Sequence, residues 1–177
     1  MTGVAALFVR KISHYKAMPG VDAFDIDRDA LTWRGGSPGV FHPPCRGWGR
    51  LRGQSKHSAA ELDLGRWSMV MCRRFGGVVE HPACSGLWAA SGCLSYGLRD
   101  CYGGVLIPVM QGWFGHRAPK RTSLYLVGVP VPELPFSEVD SVGRVAYMGR
   151  AERERTPEKF AQWLVELARS ARVEVPS

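Results

Sequence analysis

Short apolar runs, cut by glycine and proline, set the pattern of this chain. Val4 to Val9 is apolar enough for a buried strand, and Val21 to Phe24 makes a second that ends in Asp25 and Asp27. Val40 and Phe41 open a third, stopped by His42-Pro43-Pro44-Cys45. The period then changes. Leu64, Trp67, Met71 and Phe75 recur at helical spacing, and Ser58 with Glu61 three residues on forms a capping box, which predicts a helix from Ser58 to Phe75 closed by Gly76-Gly77. Val78-Val79-Glu80 reads as a short buried strand breaking at His81-Pro82, and Val105 to Met110 and Ser123 to Val127 supply two more. The last predicted helix, 156–171, starts at Thr156 with Pro157 at its first position and buries Phe160, Trp163, Leu164 and Leu167 on one side.

Strands alternating with helices predict an α/β fold with a mostly parallel, Rossmann-like sheet flanked by helices. A length of 177 residues fits one such domain, 1–177, in a reduced form, and there is no internal repeat or low-complexity linker. In a sheet of this kind the ligand site lies at the carboxyl ends of the strands, which is where Asp25, Cys45 and Glu80 fall.

Charge narrows the class of partner. Lys and Arg number 23 against 16 Asp and Glu, a net charge of +7, which favours a polyanion. The basic residues gather in two places: Arg46, Arg50, Arg52 and Lys56, and then Arg117, Lys120 and Arg121. Both lie beside unusual motifs, which points to phosphate binding over a plain solvated surface. No run approaches the ~18 apolar residues of a membrane span, and no basic segment precedes the first apolar stretch. Five cysteines without disulfide-framework spacing suit a reducing, cytoplasmic setting.

Three motifs carry candidate chemistry. In His42-Pro43-Pro44-Cys45-Arg46-Gly47-Trp48-Gly49 the prolines stiffen the backbone after a strand and present Cys45 as a nucleophile, its pKa to be lowered by Arg46, Arg50 and Arg52. Trp48 is placed to stack on a base. In Val78-Val79-Glu80-His81-Pro82 an acid ends an apolar strand, where burial is costly unless the acid is paired or functional; Glu80 is either a general acid or an acceptor for a base edge. The third motif, Phe114-Gly115-His116-Arg117 through Lys120-Arg121 to Gly128, leads from basic residues into an apolar strand.

In this order the three motifs resemble the C5-cytosine DNA methyltransferases, and more closely short phage and prophage methyltransferase-like proteins that share His-Pro-Pro-Cys, Glu-His-Pro and Phe-Gly-His-x-x-x-Lys segments. The resemblance spans residues 20–130. It implies a methyltransferase-type sheet, with Cys45 attacking pyrimidine C6, Glu80 contacting the ring N3 and amino edge, and Arg121 supporting the activated base. The implied cofactor is S-adenosylmethionine, with Ser13, Tyr15 and Asp25 as its candidate contacts; a turn cap is the other reading of Asp25. The implied partner is DNA or a pyrimidine nucleotide, met by Arg46, Trp48, Arg50, Arg117 and Lys120.

The chain departs from the family at three points. No glycine occurs between Val9 and Gly20, where the family's glycine-rich cofactor loop falls. Ser123 stands where a second supporting arginine is expected. Residues 128 to 156 leave no room for a target-recognition region, so recognition passes to the basic loops, a second copy or a protein partner, or the substrate is a flipped, single-stranded or free base. Two alternatives accompany the methyltransferase reading: a non-catalytic nucleotide- or nucleic-acid-binding descendant, and a hydroxymethyl-type transferase with another donor. Zinc is disfavoured because His81, Cys84, Cys93 and Cys101 lack Cys-x-x-Cys spacing, and neither a P-loop nor a deaminase signature occurs.

Overall fold

The structure, a computed structural model, describes residues 3–49, 52–54, 56–135 and 145–172. Six strands form one sheet: β1 (Val4–Leu7), β2 (Val21–Phe24), β3 (Gly39–Phe41), β4 (Gly77–Pro82), β5 (Val105–Met110) and β6 (Arg121–Val127). Their order is β2-β1-β3-β4-β6-β5. The strands β1 to β4 run parallel, whereas β6 is antiparallel to both β4 and β5. The sheet is therefore the mixed, mostly parallel sheet of a Rossmann-like α/β fold.

Helices cover both faces. Helix α4 (Glu158–Arg169) packs Phe160, Leu164 and Leu167 against Val4, Ala6, Val40, Val78, Leu124 and Leu126. On the other face α1 (Ala59–Phe75) and α2 (Gly86–Ala90) supply Met69, Cys72, Leu87 and Trp88 against Leu7, Phe41, Val79, Tyr125 and Val127. The inner strands β1, β3, β4 and β6 thus alternate their side chains between two apolar layers, which is why they read as near-continuous apolar runs, whereas the edge strands β2 and β5 expose Asp22 and Pro108.

Local signals account for α1. Ser58 accepts from the Glu61 amide while the Glu61 side chain accepts from the Ser58 amide, closing the capping box. At the other end Gly76 takes φ 79° and Gly77 φ 117°, values that glycine adopts without strain. Several boundaries differ from expectation. Strand β4 does not break at His81-Pro82 but runs through both, paired with Ser123 and Thr122 of β6, which itself begins at Arg121. Strand β1 stops at Leu7 because Phe8 turns to φ 62°. The last helix begins at Glu158, not Thr156, because Pro157 sits at ψ 145° as its N-cap residue. It ends at Arg169, two residues short of the expected end.

Candidate active site

The carboxyl ends of β1, β3, β4 and β5 and the start of β6 meet at one edge of the sheet. The β5–β6 pairing continues past the strands, with the Gln111 amide donating to the Lys120 carbonyl over 3.2 Å, so Gln111 and Lys120 arrive together. By alternation from Val40 and Val78, His42 and Glu80 both face the α4 side. His42 Nδ1 lies 3.0 Å from Glu80 Oε2, and Gln111 Nε2 donates to Glu80 Oε1 over 2.9 Å. Behind them the Tyr15 hydroxyl lies 2.8 Å from His42 Nε2, and Gln111 Nε2 also donates to Thr122 Oγ1 over 3.0 Å.

Burial alone would raise the Glu80 pKa, but the His42 hydrogen bond, and after it Lys120 and the His42 and His81 rings in their protonated forms, outweigh it and bring it down to about 2. Glu80 is thus an ionised acceptor, held by two donors. Cys45 sits within electrostatic reach. It is exposed as a residue, yet loss of solvation around its thiol, and then the charge of Glu80, push its pKa up, while Lys120 pulls it down. The expected lowering by neighbouring arginines is therefore corrected: Arg46 is paired with Glu61. Burial lowers the Lys120 pKa, against the charges of Glu80, Cys45 and Glu154.

His81 faces the α1 side, 1% exposed, with its ring edge-on to Trp88. Its Nδ1 lies 2.7 Å from the Ser85 hydroxyl, and burial pushes its pKa down to about 4 against the Glu80 charge and the Pro43 and Pro44 backbone groups.

Several expected site residues do other work. Arg121 is exposed, and the alternation that turns Thr122 towards Gln111 turns Arg121 to the opposite face from Glu80. Lys120, one residue earlier, is the lysine whose charge reaches Cys45 and Glu80. Trp48 is 7% exposed and packs in the core beneath α1 and α2, so it is no stacking platform. Asp25 is the turn cap: Oδ1 accepts from the Asp27 and Arg28 amides at 3.0 and 3.1 Å, and Oδ2 pairs with Lys16. The Lys16 hydrogen bond holds its carboxyl below the ordinary value. Tyr15 is buried with its hydroxyl spent on His42, and Ser13 precedes the single 3-10 turn His14–Ala17 without capping it by its side chain. Asp25 and Tyr15 do not fit S-adenosylmethionine, because the carboxylate and phenol that would meet it are already engaged. Arg50 lies outside the described residues.

The short helix α3 (Arg150–Glu154) lies along the rim of this edge. Arg10 Nη1 donates to the Ala151 carbonyl over 2.9 Å, Lys120 Nζ to the Arg155 carbonyl over 3.2 Å, and Arg117 Nε lies 3.1 Å from Glu152 Oε1. Three rim cations thus already hold oxygen atoms of one segment.

Two of the site's polar groups escaped the sequence reading. His42 was visible as the residue before the proline pair, and Gln111 as the polar residue ending the apolar run of β5; neither signal specifies a partner. Among the described residues no group of three or more His, Cys, Asp or Glu is placed to hold a metal ion, and no helix is long and apolar enough to cross a membrane. No protein-family model matches the chain, and no curated protein and no solved structure matches it either.

Proposed function

We propose that the chain modifies a pyrimidine at C5 through a covalent cysteine adduct, in the manner of the C5-cytosine methyltransferases it resembles. The observation that supports this is the convergence of Cys45, Glu80 and Lys120 at the carboxyl edge of the sheet, from three separate motifs. In the proposed step the Cys45 thiolate forms a bond to C6, the C5–C6 π pair moves to C4–C5, the C4–N3 π pair moves onto N3, and N3 takes a proton from solvent water. Lys120 steadies the thiolate before attack. Glu80 has about four lone-pair sites, of which His42 and Gln111 take two. The remaining sites accept from the protonated N3 and the exocyclic amino group, favouring the adduct electrostatically. C5 then takes its new group, a proton from water in the absence of a donor, and elimination breaks the C6–S bond, returns the thiolate and releases the C5 and N3 protons to solvent.

The substrate is a single-stranded or flipped base in DNA, or a free nucleotide, since such a base needs little reading surface. Arg117 and Lys120 would meet its phosphates, and a second copy or a protein partner would add target recognition. Phage DNA modification in the host cytoplasm is the setting the resemblance suggests. S-adenosylmethionine, the donor implied by that resemblance, would be held by groups other than Asp25 and Tyr15.

One experiment needs no donor. Cytosine deuterated at C5, offered in single-stranded DNA, in RNA or as the nucleotide, should lose its label to water, and Cys45→Ala should abolish the loss. A 5-fluoropyrimidine in the substrate that exchanges should give a covalent adduct by intact mass. Absence of exchange and adduct with all three substrates rejects the proposal. The raised pKa of Cys45 favours a second reading, a non-catalytic binding descendant, which predicts salt-dependent binding without exchange.

A further inference from the structure

An ionised carboxylate withdrawn from water needs fixed donors, and Arg121, the support expected from the sequence, faces away from Glu80. The donors present are His42 and Gln111. We propose that His42, locked in one tautomer by Tyr15, is the positioning residue that fixes Glu80 for its base; this rests on the pyrimidine reading above.

The proton positions follow from what each group can do. Glu80, ionised, only accepts, so His42 Nδ1 carries the hydrogen across the 3.0 Å contact. Tyr15 is 1% exposed, and burial raises its pKa well above the ordinary value, so it stays a phenol. A phenol at 2.8 Å from a bare Nε2 donates to it. The chain Tyr15 O–H to Nε2, Nδ1–H to Oε2, therefore has one direction in neutral His42, and flipping the tautomer would break both bonds. On its other oxygen Glu80 takes Gln111 Nε2–H, whose amide orientation is fixed by the second acceptor, Thr122 Oγ1. Thr122 in turn donates to the Lys120 carbonyl over 3.2 Å. Four side chains from four places along the chain, Tyr15, His42, Gln111 and Thr122, thus hold one carboxylate near the carboxyl end of β4. His42 immediately precedes the proline pair, so the motif that carries Cys45 also carries the residue that orients Glu80.

The test reads His42 and Glu80 directly, in the intact protein. Long-range proton–nitrogen NMR should show His42 protonated at Nδ1 and bare at Nε2. Tyr15→Phe should leave a folded protein with mixed His42 tautomers, and a Glu80 carboxyl resonance that titrates at higher pH than in the parent. His42→Ala should raise that titration further, and His42→Asn, whose amide nitrogen stands near the Nδ1 position, should bring it back. In the C5 exchange assay Tyr15→Phe and His42→Ala should lower kcat roughly ten- to a hundredfold, with KM less affected, and His42→Asn should recover part of the loss. An Nε2–H tautomer, an unchanged tautomer in Tyr15→Phe, or equal Glu80 titration in His42→Ala and His42→Asn would overturn the proposal. The expected tautomer and titrations without C5 exchange in any form, the parent included, would reject the pyrimidine reading and leave the positioning pair standing.

Discussion

The indole of Trp48 fills the space that a side chain at Gly65 would need: a Cβ at position 65 would lie 2.7 Å from Trp48 Nε1 and 3.2 Å from Leu87 Cδ1. The turn that follows Cys45 is therefore pinned to the middle of α1. It is also pinned to α2, since the Gly86 amide donates to the Trp48 carbonyl over 2.9 Å. Gly65→Ala sets two effects against each other. Alanine gains about 1 kcal/mol of helix propensity, and overpacking costs about 1–3 kcal/mol. Because the clash is with a ring wedged between two helices, we expect a net loss of about 1 kcal/mol, read as a lower urea midpoint with an unchanged slope. A higher midpoint would mean that Trp48 yields freely.

Cys45 should report its neighbours through its reactivity. Loss of solvation and the Glu80 charge raise its pKa, and the Lys120 charge lowers it. Alkylation by iodoacetamide at pH 8, followed at Cys45 by mass spectrometry, should therefore quicken several-fold in Glu80→Gln and slow several-fold in Lys120→Met. The exposed Cys84 and Cys101 serve as internal controls in the same samples. Equal rates in the two variants would show that the three groups do not share a site.

What the sequence disclosed follows from how local each signal is. Helix α1 is written within its own residues, in the Ser58–Glu61 box and in Gly76. The end of β3, just before Cys45, was legible because Pro43 follows its apolar run one residue on. The break expected at His81-Pro82 did not form, because pairing with β6 carries β4 through Pro82. The choice between Lys120 and Arg121 was not, because it depends on the register of β6 against β4 and β5, and a shift of one residue reverses the face. Trp48 misled for a related reason. A tryptophan among glycines looks exposed, and only the distant Gly65 makes the room that buries it. Tyr15 sat in a polar, basic stretch that gave no hint of its partner His42, 27 residues ahead.

Stability should fall on mild acidification through His81. Its folded pKa, about 4, lies below the ordinary value of 6.5, so the unfolded chain binds the proton more readily. The contribution of neutral, buried His81 is thus full above about pH 6.5 and is lost as pH falls towards 4, on the order of 3 kcal/mol in total. Glu80, with a folded pKa of about 2, acts in the same direction at lower pH, from about 4.5 downwards. Urea midpoints measured from pH 7 to 4.5 should decline in the parent. His81→Phe keeps an aromatic ring against Trp88 and cannot titrate, so it should flatten that decline while costing stability at pH 7 through the lost Ser85 hydrogen bond. An equal slope in both proteins would assign the acid sensitivity elsewhere.

Binding of a polyanion at the rim should compete with the segment that holds it. The cations Arg10, Arg117 and Lys120 now meet the Ala151 carbonyl, the Glu152 carboxylate and the Arg155 carbonyl, so an incoming phosphate must replace these oxygens. The Arg117–Glu152 pair is largely exposed and worth about 0–1 kcal/mol, which makes it the easiest to give up. Glu152→Gln should therefore leave the unfolding midpoint nearly unchanged and tighten binding of a single-stranded oligonucleotide several-fold at low salt. Arg117→Ala should weaken the same binding and reduce the slope of log affinity against log salt by about one. The opposite signs matter, because both changes break the same ion pair: if the pair were merely structural, the two variants would move affinity together. A salt-independent affinity in the parent would remove the phosphate role from this rim altogether.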